Sequence, residues 1–213
     1  MKNRQEVEGI IEWFRTHMPD PVTELEYSDP YGLLVAVILS AQCTDKRVNM
    51  TTPALLERYP TVSELAAATP EEVYPYIKSI SYPNNKARHL TGMARALVTL
   101  FDGQVPEDPE DLQKLPGVGR KTAHVIASVV YQKHVMAVDT HVFRISRRLG
   151  LSKGKTPLAV EKDLNRHFSP GLRPKAHHWL ILHGRYVCTA RNPKCESCGI
   201  SSFCDTYNKK VKQ

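Results

Sequence analysis

No stretch of this sequence stays apolar for long. The longest run, Leu33 to Leu39, falls far short of the ~20 residues a bilayer span needs, and it reads instead as a buried helix. The opening MKNRQEVEGIIEWF mixes both charge signs and shows no signal-peptide pattern, so a cytoplasmic protein is expected, with no membrane partner. Strict apolar–polar alternation is missing too, and with it any convincing strand. Low-complexity segments and open linkers are absent, so any division into domains must be a compact one. Cysteine is almost absent before residue 188, where Cys43 stands alone.

Acidic residues are scarce in one half only. Residues 1–107 carry 10 Lys and Arg against 14 Asp and Glu, a net of −4, whereas residues 108–213 carry 19 against 8, a net of +11. The overall +7 therefore belongs wholly to the second half, where it is spread out and not packed into a tail. A broad basic surface suits a phosphate backbone, although charge alone equally fits a solvated face.

What is present is a series of helix starts. Thr61-Val62-Ser63-Glu64 is a capping box, and Thr69-Pro70-Glu71-Glu72 places a cap, a proline at the first helical position and an acid at the third. Asp108-Pro109-Glu110-Asp111 repeats that pattern, and Thr156-Pro157 opens another segment. Apolar residues at helical spacing follow, among them Ile10, Trp13 and Phe14, then Leu158, Leu164 and Phe168. The fold is expected to be all-α, with about ten helices joined by short loops. With 213 residues, one large domain or two interleaved ones have ample chain for a core.

Between the helix opening near Asp108 and a longer one through Ile126 to Tyr131 lies Leu115-Pro116-Gly117-Val118-Gly119-Arg120-Lys121-Thr122-Ala123. Two glycines around one apolar residue allow a sharp turn with Val118 packed inward. The amides of Gly117, Gly119 and the first helical turn would then face outward as an anion site fit for a phosphate. Such a hairpin grips a DNA backbone without reading sequence; the plain alternative is a connection between helices.

The other dense signal is CTARNPKCESCGISSFC, residues 188–204. Cys188, Cys195, Cys198 and Cys204 supply four thiolates and no histidine, a closed set without an open position for Lewis-acid catalysis. In a reducing compartment they point to a metal in preference to disulfides. The spacing alone permits zinc or an iron–sulfur cluster. Zinc ribbons usually pair two distant Cys-x2-Cys knuckles, whereas this chain has one knuckle with a single cysteine on either side. Arg185, Arg191 and Lys194 lie beside or within that stretch, where a rigid loop would hold their charges in place. Cys43 reads as a small buried thiol in a helix.

The nine residues from Leu115 resemble the helix-hairpin-helix element of the DNA glycosylase superfamily. Val138-Asp139-Thr140-His141-Val142-Phe143-Arg144 resembles the segment carrying its catalytic aspartate. The cysteine spacing and Leu39-Ser40-Ala41-Gln42-Cys43-Thr44-Asp45 are similar to those of the endonuclease III branch. The resemblance implies two α-helical lobes with DNA in the cleft between them. One is a six-helix barrel, residues 23–133, containing the hairpin at about 108–131. The other comprises residues 1–22 with 134–213, including the cluster loop 188–204. It also decides for a [4Fe–4S] cluster on the four cysteines.

The implied activity is base excision repair, acting on damaged bases or abasic sites in double-stranded DNA. In that scheme Lys121 attacks the sugar C1′, displaces the base and leaves a Schiff base, after which the strand is cleaved 3′ to the abasic site by β-elimination. The positive end of the following helix disfavours the ammonium form and so favours the attacking amine. Asp139 has a plain role as an N-cap, and in the family a catalytic one, stabilising charge on the sugar or moving protons. Gly117, Val118, Gly119, Arg120 and Thr122 would hold the backbone. Gln42 would fill the gap left by the flipped base, its alternative being a helix-end cap.

The wedge loop opposite, Ile80 to Lys86, departs from the family pattern. Ser81-Tyr82-Pro83 stands where glycine and a bulky apolar residue are usual. Tyr82 can still stack as a wedge, and Pro83 stiffens the loop. A monomeric bacterial enzyme is expected. A monofunctional adenine-excising relative would lack an amine at position 121, and a non-catalytic hairpin module would leave Lys121 and Asp139 incidental.

Overall fold

The structure, a computed structural model, describes residues 2–211. It contains α1 (Arg4–His17), α2 (Pro30–Ser40), α3 (Asp45–Arg58), α4 (Val62–Ala67), α5 (Pro70–Ile77) and α6 (Pro83–Phe101). There follow α7 (Pro109–Leu112), α8 (Arg120–Tyr131), α9 (Thr140–Leu149), α10 (Pro157–His167), α11 (Arg173–Tyr186) and α12 (Asp205–Val211), with 3-10 turns at Pro170–Leu172 and Ser201–Phe203. No strand occurs among the described residues, so the all-α reading holds. Among the described residues there are twelve α-helices where about ten were expected, because short pieces such as the four-residue α7 form separate elements.

The helix starts legible in the sequence are the ones used. Thr61 and Thr69 each accept from the third helical amide, and Glu64 and Glu72 reach back to their backbone N–H groups. Asp108 and Thr156 cap α7 and α10 through their side chains. Each such cap satisfies one of the donors a helix leaves open at its start, a contribution of about 1 kcal/mol.

Two compact units result, one of residues 23–132, the other of residues 1–22 with 133–213. In the first, α2 is buried along its whole length from Tyr31 to Leu39. It packs on α3, α6 and α8, while α6 also covers α4 and α5. A helix apolar on every face needs such surroundings.

In the second, Ile10 and Phe14 of α1 join Val142, Ile145, Leu164, Trp179 and Leu180 in one core. Phe14 stacks on Trp179, whose indole N–H donates to the Met18 carbonyl at 2.6 Å. Phe168 belongs to this core, but Leu158 is exposed, since the first turn of α10 turns that position outward. Cys43 is half-buried and lies outside any helix, in the turn after α2, where its amide donates to Ser40.

Candidate functional site

The hairpin occupies the turn between α7 and α8. Val118 is buried, and its amide closes the turn on the Leu115 carbonyl. The two glycines are not equivalent. Gly117 sits at φ +81°, and a Cβ there would fall 2.8 Å from that of His89. Gly119 has an extended backbone open to any residue, and a Cβ there would meet nothing within 4 Å. It is the N-cap of α8 and offers that helix no side-chain cap. Arg120 is exposed, whereas Lys121 and Thr122 are half-buried in the first turn.

Asp139, in the other unit, is the N-cap of α9. Its Oδ1 accepts from the Val142 amide at 2.7 Å, and its Oδ2 lies 3.2 Å from His141 Nδ1. Burial pushes the carboxyl pKa up. The His141 and Val142 hydrogen bonds and the charges of His177 and His141 outweigh that, lowering it to about 2. Asp139 is therefore a half-buried carboxylate, ionised at neutral pH.

Gln42 and Tyr82 are both exposed and both left-handed, at φ 55° and 56°. Tyr82 precedes α6 as its N-cap, and Pro83 takes the first helical position.

The four C-terminal cysteines line one pocket with Ile145, Leu149, His183 and Val187. Burial raises the Cys198 and Cys204 thiol pKa values; backbone hydrogen bonds oppose this, and the neighbouring cysteines add to it. Four thiols on one pocket ask for a cationic group that stabilises them as thiolates.

The loop is held by residues that the sequence reading passed over. Arg148 binds the Cys188 sulfur and the carbonyls of Thr189 and Ala190, and Arg144 binds the carbonyls of Gly184 and Cys188. His183 Nε2 lies 3.5 Å from Cys198 Sγ. Burial lowers the pKa of that imidazole to about 4, so it is neutral. In the sequence both were only part of the positive charge of the second half, with nothing beside them to mark the carbonyls they hold.

Comparison with known proteins places this geometry. Residues 35–170 match the model of the HhH-GPD superfamily of base excision DNA repair proteins. The endonuclease III of Rickettsia felis is 44% identical over 207 residues, covering 97% of both chains. This chain belongs to the endonuclease III family.

Two solved members of the family align along the whole fold. A trapped endonuclease III–DNA covalent intermediate is 40% identical with a TM-score of 0.94, covering 99% of this chain and all of the other. A non-covalent endonuclease III–DNA complex is 39% identical, also at 0.94, and covers both chains fully. Residues 188–204 match the iron-sulfur binding domain of endonuclease III. The protein is thus a base excision repair enzyme, a DNA glycosylase and abasic-site lyase acting on damaged bases in DNA, and it carries a [4Fe–4S] cluster. No helix among the described residues is long and apolar enough to cross a membrane.

Proposed function

We propose that this endonuclease III family member removes oxidised or ring-damaged pyrimidines from duplex DNA, with Lys121 as nucleophile and Asp139 as its acid–base and electrostatic partner. The observation that carries the reading is the place of Lys121, in the first turn of α8 directly after the Gly117-Val118-Gly119 hairpin. The N-terminal end of a helix favours an anion, and the open space over Gly119 suits a phosphate approaching the backbone. A backbone held there brings the adjoining sugar to the amine. Arg120 and Thr122 flank that contact.

The chemistry follows from an amine and a carboxylate. The Lys121 Nζ lone pair attacks C1′, and the bond from C1′ to the base breaks; the base leaves with that electron pair and takes up a proton. The amine gives up its proton, the sugar ring opens with O4′ protonated, and an iminium links Nζ to C1′. Loss of a C2′ proton forms the C2′–C3′ double bond and breaks C3′–O, releasing the 3′ phosphate. Water then hydrolyses the imine and returns Lys121. Asp139, ionised at neutral pH, can accept the protons shed in these steps or stabilise positive charge on the sugar. A covalent protein–DNA intermediate has been trapped in a 40% identical relative, as such a route requires.

Gln42 and Tyr82 are assigned to the gap and the opposite strand at the flipped base; both are exposed, each on a left-handed turn beside a helix end. Cys188, Cys195, Cys198 and Cys204 are assigned to the cluster. Bound there, it supplies rigidity to a loop bearing Arg191 and Lys194, both exposed. The protein acts as a cytoplasmic monomer.

Borohydride trapping on an abasic-site duplex tests the assignment. A covalent adduct formed by the intact protein and lost in Lys121→Ala is the expected result. No adduct from protein that retains its brown colour and binds DNA would overturn the lyase mechanism, and an undiminished adduct from Lys121→Ala would move the nucleophile elsewhere.

A further inference from the structure

Lys86 is buried, with only 5% of its surface exposed. Its ammonium donates to the carbonyls of Leu39 at 2.8 Å and Ala41 at 2.6 Å. These belong to the C-terminal end of α2, which has no basic residue of its own in the last turn. A helix end leaves carbonyls open there and carries negative partial charge, so a cation from α6 answers both needs. The residue that follows Ala41 is Gln42. At its other end Lys86 donates its backbone amide to the Tyr82 carbonyl at 3.1 Å.

Among the described residues, four non-glycine residues have positive φ: Gln42, Tyr82, Asp102 and Gln132. Asp102 and Gln132 are C-caps of α6 and α8, where the left-handed region is ordinary. Tyr82 is an N-cap, where extended backbone is the rule, and a bulky residue at positive φ is a true outlier. Gln42 directly follows the C-cap of α2, another ordinary place for that region, so Tyr82 is the one its surroundings must impose. The Lys86 side chain holds the carbonyls that lead into Gln42, and its place in the first turn of α6, four residues after Tyr82, ties that chain end to the start of α6. Burying the charge is itself costly: desolvation lowers the Lys86 pKa, with a smaller opposing contribution from Cys43. An apolar residue could fill the space but not satisfy the two carbonyls.

We propose that Lys86 is a positioning residue that locks the Gln42 and Tyr82 turns into one rigid two-pronged edge for entering the base stack. This rests on the assignment of those two residues to the DNA gap. Lys86 touches neither the sugar nor the base. Its effect falls on the opening of paired DNA, and the later chemistry at an already exposed sugar is independent of it.

The test compares single-turnover rates on a damaged base paired within a duplex and on a preformed abasic site facing a strand gap. Lys86→Met keeps the length of the side chain and removes the charge. It is expected to lower the paired-base rate at least about tenfold, as small misplacements do, and to leave the gapped abasic rate within about twofold. Joining Gln42→Ala to it is expected to add little, since residues acting as a unit are not additive.

Equal loss on both substrates, or no loss on either, would overturn the proposal and leave a plain helix-capping role. If Gln42→Ala and Tyr82→Ala leave the ratio of the two rates unchanged, the gap assignment fails. If they lower it while Lys86→Met does not, the positioning role alone fails. Should the Met variant not fold, Lys86→Arg is read by the same ratio. Should neither fold, hydrogen exchange of the intact protein decides: amides of the two turns opening together support the lock, and independent opening overturns it.

Discussion

Arg148 holds Cys188 by its sulfur and by the chain that follows it. Nη1 lies 3.4 Å from Sγ and 2.7 Å from the Thr189 carbonyl oxygen, and Nη2 lies 2.8 Å from that of Ala190. A planar fork of donors can serve several acceptors at once, which a lysine ammonium cannot reproduce. Arg148→Lys and Arg148→Ala are therefore expected to purify with less cluster, measured as visible absorbance per mole of protein. Each acceptor left unsatisfied costs about 1–3 kcal/mol. Arg191→Ala, which alters an exposed cation in the same loop, is expected to keep the full cluster content and to weaken DNA binding alone.

The hairpin glycines separate folding from binding. Gly117→Ala forces a left-handed φ of +81° on a residue with a Cβ and drives that atom against His89. A loss of about 1–3 kcal/mol in stability is expected, read by thermal or denaturant unfolding. Gly119→Ala meets open space at an extended backbone, and its stability is expected to change by no more than about 0.5 kcal/mol. Its affinity for undamaged duplex is expected to fall all the same, because the new methyl stands where a phosphate must approach.

Local chemistry made much of this fold legible. The caps at Thr61, Thr69, Asp108 and Thr156, the apolar run of α2 and the hairpin are all governed by neighbours within one helical turn. Arg144, Arg148 and Lys86 were not legible, because their partners lie 40 to 47 positions away. Nothing in their own surroundings distinguishes a cation that holds buried carbonyls from one that faces solvent. Cys43 was misplaced for a related reason. At the end of α2 the Lys86 ammonium takes the Leu39 and Ala41 carbonyls, and no glycine or proline beside that end marks it in the sequence.

Lys2 secures the far side of the cluster loop. Its buried ammonium contacts Glu6 at 2.7 Å and Asp205 at 2.6 Å, and Asp205 directly follows Cys204. Its backbone amide donates to Gly150 at the end of α9. Lys2→Met would leave the two partly exposed carboxylates without their cation. A loss of about 1–2 kcal/mol is expected, below the cost of breaking a fully buried pair because both acids reach solvent. Faster bleaching of the cluster absorbance under mild heating would accompany it, while the rate of borohydride trapping before heating stays at the intact level.

Asp139 serves two ends, and its pH dependence distinguishes them. Its folded pKa, about 2, lies below the ordinary 3.8. The carboxylate thus contributes stability above pH 3.8 that disappears as pH falls towards 2, about 2 kcal/mol in all. Asp139→Asn keeps an acceptor for the Val142 amide but carries no charge at any pH. The stability gap between the intact protein and this variant is therefore expected to be full at neutral pH and to close on acidification over that window, measured by denaturant unfolding. Catalysis responds differently. The Asn variant, still folded at pH 7, is expected to lose roughly 10²–10⁴ in turnover, the usual worth of a positioned proton-transfer group. A variant that closes the stability gap as described yet keeps more than about a tenth of the intact rate would reduce Asp139 to the cap of α9.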